Sequence, residues 1–206
     1  MLPLVLASAS PRRREMLSRL GIPLEVCTAD VEETGHQEVS AELVSLYNAR
    51  LKAEAVAARL PPGRIVLAAD TEVVLEGLAL GKPSTPEDAR QMLERLSDRT
   101  HQVITAFVLL RTGPPAHTHE HRIEQRVITH VTFKRLSLRE LHGYVLTGEP
   151  FDKAGGYGIQ GIGAFLVRRI EGSYTNVVGL PLTEVLEALD QLGGPTGFLV
   201  PSPSES

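Results

Sequence analysis

The sequence predicts a mixed α/β (α+β) domain on a twisted mixed sheet with flanking helices, and three observations carry that prediction. Short apolar runs bounded by turn residues read as buried strands. Between them lie segments that open on capping pairs: Ser10-Pro11, Thr85-Pro86, and Ser137 with Glu140. The two kinds are mixed from Leu2 to Leu192, with no internal repeat and no linker that divides them.

Taken in order, Leu2 to Ala7 is the first buried strand, bounded by Ser8 and Ser10. Ser10 then caps a helix with Pro11 at its first position, Met16, Leu17 and Leu20 on its apolar side, and Gly21 as its stop. Ile22 to Cys27 is extended, Thr28 to Glu38 is a polar loop, and Val39 to Leu60 is a long helix ended by Pro61-Pro62-Gly63. Ile65 to Ala69 is apolar until it reaches Asp70-Thr71, as expected of a central strand with chemistry at its C-terminal end. Glu72 to Leu80 predicts a hairpin around Glu76-Gly77, and Thr85 opens a helix that buries Met92, Leu93 and Leu96. His101 to Leu110 and Ile123 to Phe133 are two strands joined through Gly113-Pro114-Pro115. A capped helix runs from Ser137 to about Leu146, Ile162 to Ile170 is a strand, and Pro181 to Leu192 is the last helix. Residues 1–192 therefore read as one domain with room for two lobes, and 193–206 as a flexible tail.

Composition narrows the function classes. Aromatic residues make up 4% with no tryptophan, so stacking platforms for single-stranded nucleic acid are scarce, and a net charge of -4 gives no general attraction for a polyanion. A nucleic-acid partner is not expected. One cysteine, Cys27, excludes an internal disulfide and a four-thiolate zinc site. No apolar run approaches 18 residues, and the apolar start lacks a basic residue before it, so neither a membrane span nor a leader is expected and the reading is cytoplasmic.

Several groups could carry chemistry. Ser8, Ser10, Arg12 and Arg13 fall where a strand gives way to a helix, a place where free N–H groups and guanidinium donors suit phosphate; a capped helix with solvated arginines fits the same pattern. Lys82, on the constrained turn Gly81-Lys82-Pro83, and Lys52, on the long helix, could neutralise phosphate or be surface lysines. Asp70 is the most telling carboxylate, a base or metal ligand if it is not a turn cap, because burying it after an apolar run is costly without a partner. Glu32 or Glu33 offers a second carboxylate for a hard cation.

The G-x-G-x-x-G match that begins at Gly156 has the wrong context for a dinucleotide site, since a strand rather than a helix follows it. A tight loop in which Gln160 reads a base remains, as does an ordinary glycine-rich turn. His117, His119 and His121 would share one face of an extended chain, where they could bind zinc or be solvated.

Together, Leu6-Ala7-Ser8-Ala9-Ser10-Pro11-Arg12-Arg13, Ala69-Asp70-Thr71, Gly81-Lys82-Pro83 and the run from Asp152 to Gly161 resemble the Maf family of nucleoside triphosphate pyrophosphatases, over about Leu4 to Leu192. The resemblance implies a fold like that of the inosine triphosphate pyrophosphatases, with a deep central cleft. It implies Asp70 as proton acceptor, and Arg12, Thr71 and Gln160 as the positions that mark the dTTP/UTP branch. Ser8, Arg13, Glu33, Lys52, Lys82, Asp152 and Lys153 resemble other cleft residues. Glu72, after the Asp-Thr pair, departs from the apolar residue of many members. The implied reaction is attack by water on the α phosphorus, giving the nucleoside monophosphate and diphosphate, with Mg2+ or Mn2+ on Glu33 and Asp70 and a homodimer as the assembly. A non-catalytic nucleotide-binding regulator of cell division is the alternative, and it would use the same cleft.

Overall fold

The computed structural model describes residues 2–33, 41–113 and 121–198. Seven strands form one sheet in the order β2-β1-β3-β5-β6-β7, with β4 paired to β3 off that path. They are β1 (Leu4–Leu6), β2 (Leu24–Val26), β3 (Ile65–Leu75), β4 (Leu78–Leu80), β5 (Thr100–Arg111), β6 (Arg122–Phe133) and β7 (Val167–Glu171). The helices are α1 (Pro11–Arg19), α2 (Ala41–Ala57), α3 (Pro86–Leu96), α4 (Leu138–Leu146), α5 (Tyr174–Val178) and α6 (Leu182–Gln191). The first three strands to pair, β1, β2 and β3, are parallel, and every later pairing is antiparallel. The sheet is therefore mixed, as the alternating elements predict.

Capping residues begin the helices where the sequence predicts. Ser10 accepts from the Arg13 N–H, and complete capping boxes close on Thr85 with Asp88 and on Ser137 with Glu140. Alternation along the strands then sends side chains to two faces. On one, Leu4, Leu6, Leu67, Ala69, Phe107 and Leu109 pack on Met16 and Leu17 of α1 and on Val185 and Leu189 of α6. On the other, Val5, Val66, Ala68 and Val108 pack on Ala49, Ala53 and Val56 of α2. Toward the far end of the strands, Val73, Val103, Val131 and Phe133 pack on Leu93 and Leu96 of α3 and on Leu141 and Tyr144 of α4.

The site owes its place to β3. Its pairing with β1 reaches Leu67, and its pairing with β4 begins at Val73. Among the described residues, no strand fills that edge between the two points, while β5 pairs along the other edge from Ile65 to Val74. The gap opens at Asp70, Thr71 and Glu72. Asp70 consequently lies inside a long strand, not at the end of one. Its backbone stays in the ladder opposite Ala106, and only the neighbour on the β1 side is missing.

Two other elements differ from expectation. The first half of the predicted strand Ile162 to Ile170 is a 3-10 turn, Ile162–Leu166, and β7 starts at Val167. The N–H groups of Ile162 and Gly163 bond to the Glu149 carboxylate, so they are unavailable to a ladder. The short α5, capped by Ser173 and ended by Gly179 in a left-handed conformation, has too few residues to show a helical period. Residues 193–198 follow α6 with N–H bonds from Gly193 to Asp190, Gly194 to Leu189 and Phe198 to Leu20. No helix among the described residues is long and apolar enough to cross a membrane.

Candidate active site

A cleft of about 840 Å³ opens at the gap in the sheet, within the size range of small-molecule sites. Its first wall is the turn from β1 into α1, which supplies Ser8, Ser10, Arg12 and Arg13. Arg13 spans three segments: Nε donates to the Gly179 carbonyl at 2.8 Å, Nη1 to Ser8 Oγ at 3.2 Å, and Nη2 to Thr71 Oγ1 at 2.9 Å. Among the described residues, three of its five N–H groups are thus fixed by protein, which leaves two for an anion. Burial lowers the Arg13 pKa, Asp70 opposes that shift, and the guanidinium stays charged.

Thr71 belongs to a directed chain. Thr105 Oγ1 donates to the Asn176 carbonyl at 3.1 Å, so across its 2.9 Å contact with Thr71 it accepts. Thr71 then directs its one proton to Thr105, nearer than the Gly179 carbonyl at 3.5 Å, and accepts from Arg13. Buried Asn176 extends the chain by donating to the Val103 carbonyl and Thr129 Oγ1.

The opposite face of β3 carries the carboxylates. Asp70 is nearly buried, and its Oδ1 accepts from Lys52 Nζ at 2.7 Å. The same ammonium lies 2.8 Å from Glu33 Oε1. Lys52 is carried by α2, which a two-pronged Arg50–Glu124 pair (2.8 and 2.5 Å) ties to β6. Glu33, not Glu32, lines the cleft. Burial raises the Glu33 pKa, but the hydrogen bond and charge of Lys52, with Lys82 and Arg13, outweigh that and leave it lowered.

The third wall is built from Lys82 on the turn after β4 and from the segment after α4. The Gly155 N–H bonds to the Gly81 carbonyl at 3.0 Å and joins those two pieces. Asp152 takes Arg12 Nη1 at 3.0 Å and Lys153 Nζ at 2.5 Å, which links the far wall to α1. Gln160 is exposed on the glycine loop that closes this side. The cleft therefore joins every residue singled out for it: Ser8, Ser10, Arg12, Arg13, Glu33, Lys52, Asp70, Thr71, Lys82, Asp152, Lys153 and Gln160. His117 and His119 lie outside the described residues, and among those described no group of three or more His, Cys, Asp or Glu is arranged to hold a metal.

Among the further polar residues that line the cleft are Glu72, noted in the sequence as a charge after the Asp-Thr pair, and Asn48 and Glu149, which no motif pointed to. Glu72 stands two positions from Asp70, so the strand period places both on one face, a signal that was available. Burial, then the charges of Asp70 and Glu33, pushes its pKa up to about 8. Asn48 is buried on α2 and follows from no pattern. Glu149 was hidden because its partners lie 5 to 14 positions away.

Cationic and N–H donors on two walls and two carboxylates on a third have the chemistry that could hold a polyphosphate and a hard cation. The family model described as "Maf-like protein" matches residues 3–192. The chain belongs to the Maf-like family. This Maf-like chain is 51% identical over 192 residues to a Myxococcus xanthus protein named dTTP/UTP pyrophosphatase, covering 93% of each. A Halalkalibacterium halodurans protein of the same name is 45% identical over 199 residues, covering 96% of the Maf-like chain and all of that relative. Among solved structures, a HAM1 protein from Coxiella burnetii aligns with a TM-score of 0.48 at 20% identity, over 66% of the Maf-like chain and 75% of its own.

Proposed function

We propose that this protein hydrolyses dTTP and UTP to the nucleoside monophosphate and diphosphate, clearing or policing a nucleotide pool. The observation that carries the reading is the meeting of a nearly buried Asp70 with Arg12, Arg13, Lys52, Lys82 and Lys153 around one cleft. Relatives named for that activity, matched over nearly their whole length, support it.

Water attacks the α phosphorus, the bond from that phosphorus to the oxygen bridging to the β phosphorus breaks, and diphosphate leaves. Asp70 takes the proton of the attacking water. The two free N–H groups of Arg13, with Arg12, Lys52, Lys82 and Lys153, balance phosphate charge, and Ser8 and Ser10 hold the turn from which the arginines project. Gln160 reads the pyrimidine edge, and Asp152 holds Arg12 in the cleft. Thr71 contributes by fixing Arg13, because its own proton goes to Thr105.

Glu33 and Asp70 fit a divalent cation, Mg2+ or Mn2+. They are hard oxygen donors that one cation already bridges, the Lys52 ammonium, which would turn to the phosphates when a metal takes its place, and two carboxylates plus phosphate and water are a usual set for Mg2+. When bound there, the metal supplies charge neutralisation and polarisation of the phosphoryl oxygens. Residues 1–192 act as one catalytic unit, in the cytoplasm and as a symmetric homodimer, the commonest soluble assembly.

The test is incubation of the purified protein with a nucleoside triphosphate panel and Mg2+ or Mn2+, followed by separation of products. Diphosphate and the monophosphate of thymidine or uridine are expected. Orthophosphate and a nucleoside diphosphate would overturn the bond assignment, binding without turnover would favour a nucleotide sensor, and full turnover by Asp70→Asn would remove Asp70 as the base.

A further inference from the structure

The loop that carries Gln160 is held at both ends by one carboxylate and one phenol. Glu149 Oε1 accepts from Tyr144 Oη at 2.9 Å and from the Gly163 N–H at 3.0 Å, and Oε2 accepts from the Ile162 N–H at 2.8 Å. Tyr144 Oη in turn accepts from the Gly158 N–H at 3.2 Å. The pair therefore grips the chain two residues before Gln160 and again two and three residues after it. The Glu149 carbonyl also accepts from Lys153 Nζ at 2.8 Å, so the same residue anchors a cation of the phosphate side.

Gly161 and Gly163 follow from this grip. A Cβ at Gly161 would collide with the Glu149 carboxylate, 2.7 Å from its carbon, and one at Gly163 would strike the Tyr144 phenol oxygen and stand 2.7 Å from the Gly158 carbonyl. Of the three glycines that imitate a dinucleotide fingerprint, Gly161 gives clearance to the Glu149 carboxylate, Gly158 chiefly to the Lys153 side chain, and Gly156 holds a positive φ. Tyr144 is nearly buried on α4, where burial and then Glu149 raise its pKa, so the phenol keeps the proton it donates.

We infer that Glu149 and Tyr144 are positioning residues that fix the Gln160 amide for reading the pyrimidine. The inference rests on the proposal that Gln160 faces the base, and neither positioning residue is asked to touch substrate. A base-reading amide discriminates only while it is held, since a mobile one can satisfy either hydrogen-bonding pattern.

The experiment measures kcat and KM with dTTP and with dCTP, which differ in donor and acceptor along one base edge. The variants are Tyr144→Phe, Glu149→Gln, Gln160→Ala and Tyr144→Phe combined with Gln160→Ala, each with its thermal unfolding. Tyr144→Phe removes both hydrogen bonds of the phenol, the one given to Glu149 and the one taken from Gly158, and the released loop predicts a fall of roughly tenfold in the dTTP-to-dCTP ratio of kcat/KM. Gln160→Ala should give a similar fall, and the double variant should be no worse than Gln160→Ala alone. Equal losses on both substrates, with the ratio kept while Gln160→Ala abolishes it, would reduce the pair to a structural brace and overturn the inference. An unchanged ratio in Gln160→Ala would overturn the base-reading proposal and this inference with it. Should Tyr144→Phe fail to fold, Glu149→Gln decides alone, because it keeps the side-chain shape while replacing one acceptor by a donor that faces other donors.

Discussion

Lys52 Nζ lies 2.7 Å from Asp70 Oδ1, with 13% and 11% of the two side chains exposed. The ammonium is held on α2 and the carboxylate on β3, so this contact fixes the distance between helix and sheet at the point where the sheet is open. Removing one member of a buried pair strands the other charge. Lys52→Met is expected to lose about 3–5 kcal/mol of stability in urea denaturation. Combined with Asp70→Asn, the loss should fall short of the sum of the two single losses, and a strictly additive result would show that the pair is not coupled.

Thr71→Val should act through Arg13. It removes one acceptor from the guanidinium and leaves Thr105 without its donor. The expected result is a drop of roughly tenfold in kcat/KM, shared by every nucleotide that turns over, with Thr71→Ser restoring most of it. A change confined to the preference among bases would instead make Thr71 a direct reader.

Asp152 separates site geometry from stability. It is 65% exposed and bonds Arg12 and Lys153, and exposed pairs contribute little to folding. Asp152→Asn should therefore leave the unfolding midpoint nearly unchanged while raising KM, because both cations lose the anchor that spans the cleft. A large fall in thermal stability with unchanged KM would refute that division.

His101 supplies a pH dependence. Buried against Phe133 and Tyr157, with Nε2 at 2.8 Å from Tyr157 Oη, it has its pKa lowered by burial from 6.5 to about 4. The folded state holds it neutral while the unfolded chain takes a proton below pH 6.5. Its stability contribution is thus present above that pH and lost as pH falls through about 4. The loss across the window should reach about 3 kcal/mol. Chemical denaturation from pH 7 to 4 should show a steeper decline for the wild type than for His101→Gln, and matching slopes would exclude His101 as the source.

The order of helices and strands, three capped helix starts, the hairpin at Glu76-Gly77 and twelve of the cleft residues, Ser8 to Gln160 but not Asn48 or Glu149, were legible in the residues and their short motifs. These are local patterns or short motifs, so they survive without knowledge of what packs on them. That Asp70 lies within β3 follows only from packing, because the strand continues through pairing with β5, where Ala106 stands opposite it. Tertiary structure also chose Glu33 over Glu32, by which of the two meets Lys52. It curled Ile162–Leu166 into a 3-10 turn, because a carboxylate 13 residues earlier took the N–H groups a strand would have used. In each case the deciding partner is distant along the chain, and hydrogen bonds of that kind leave no period in the residues they join.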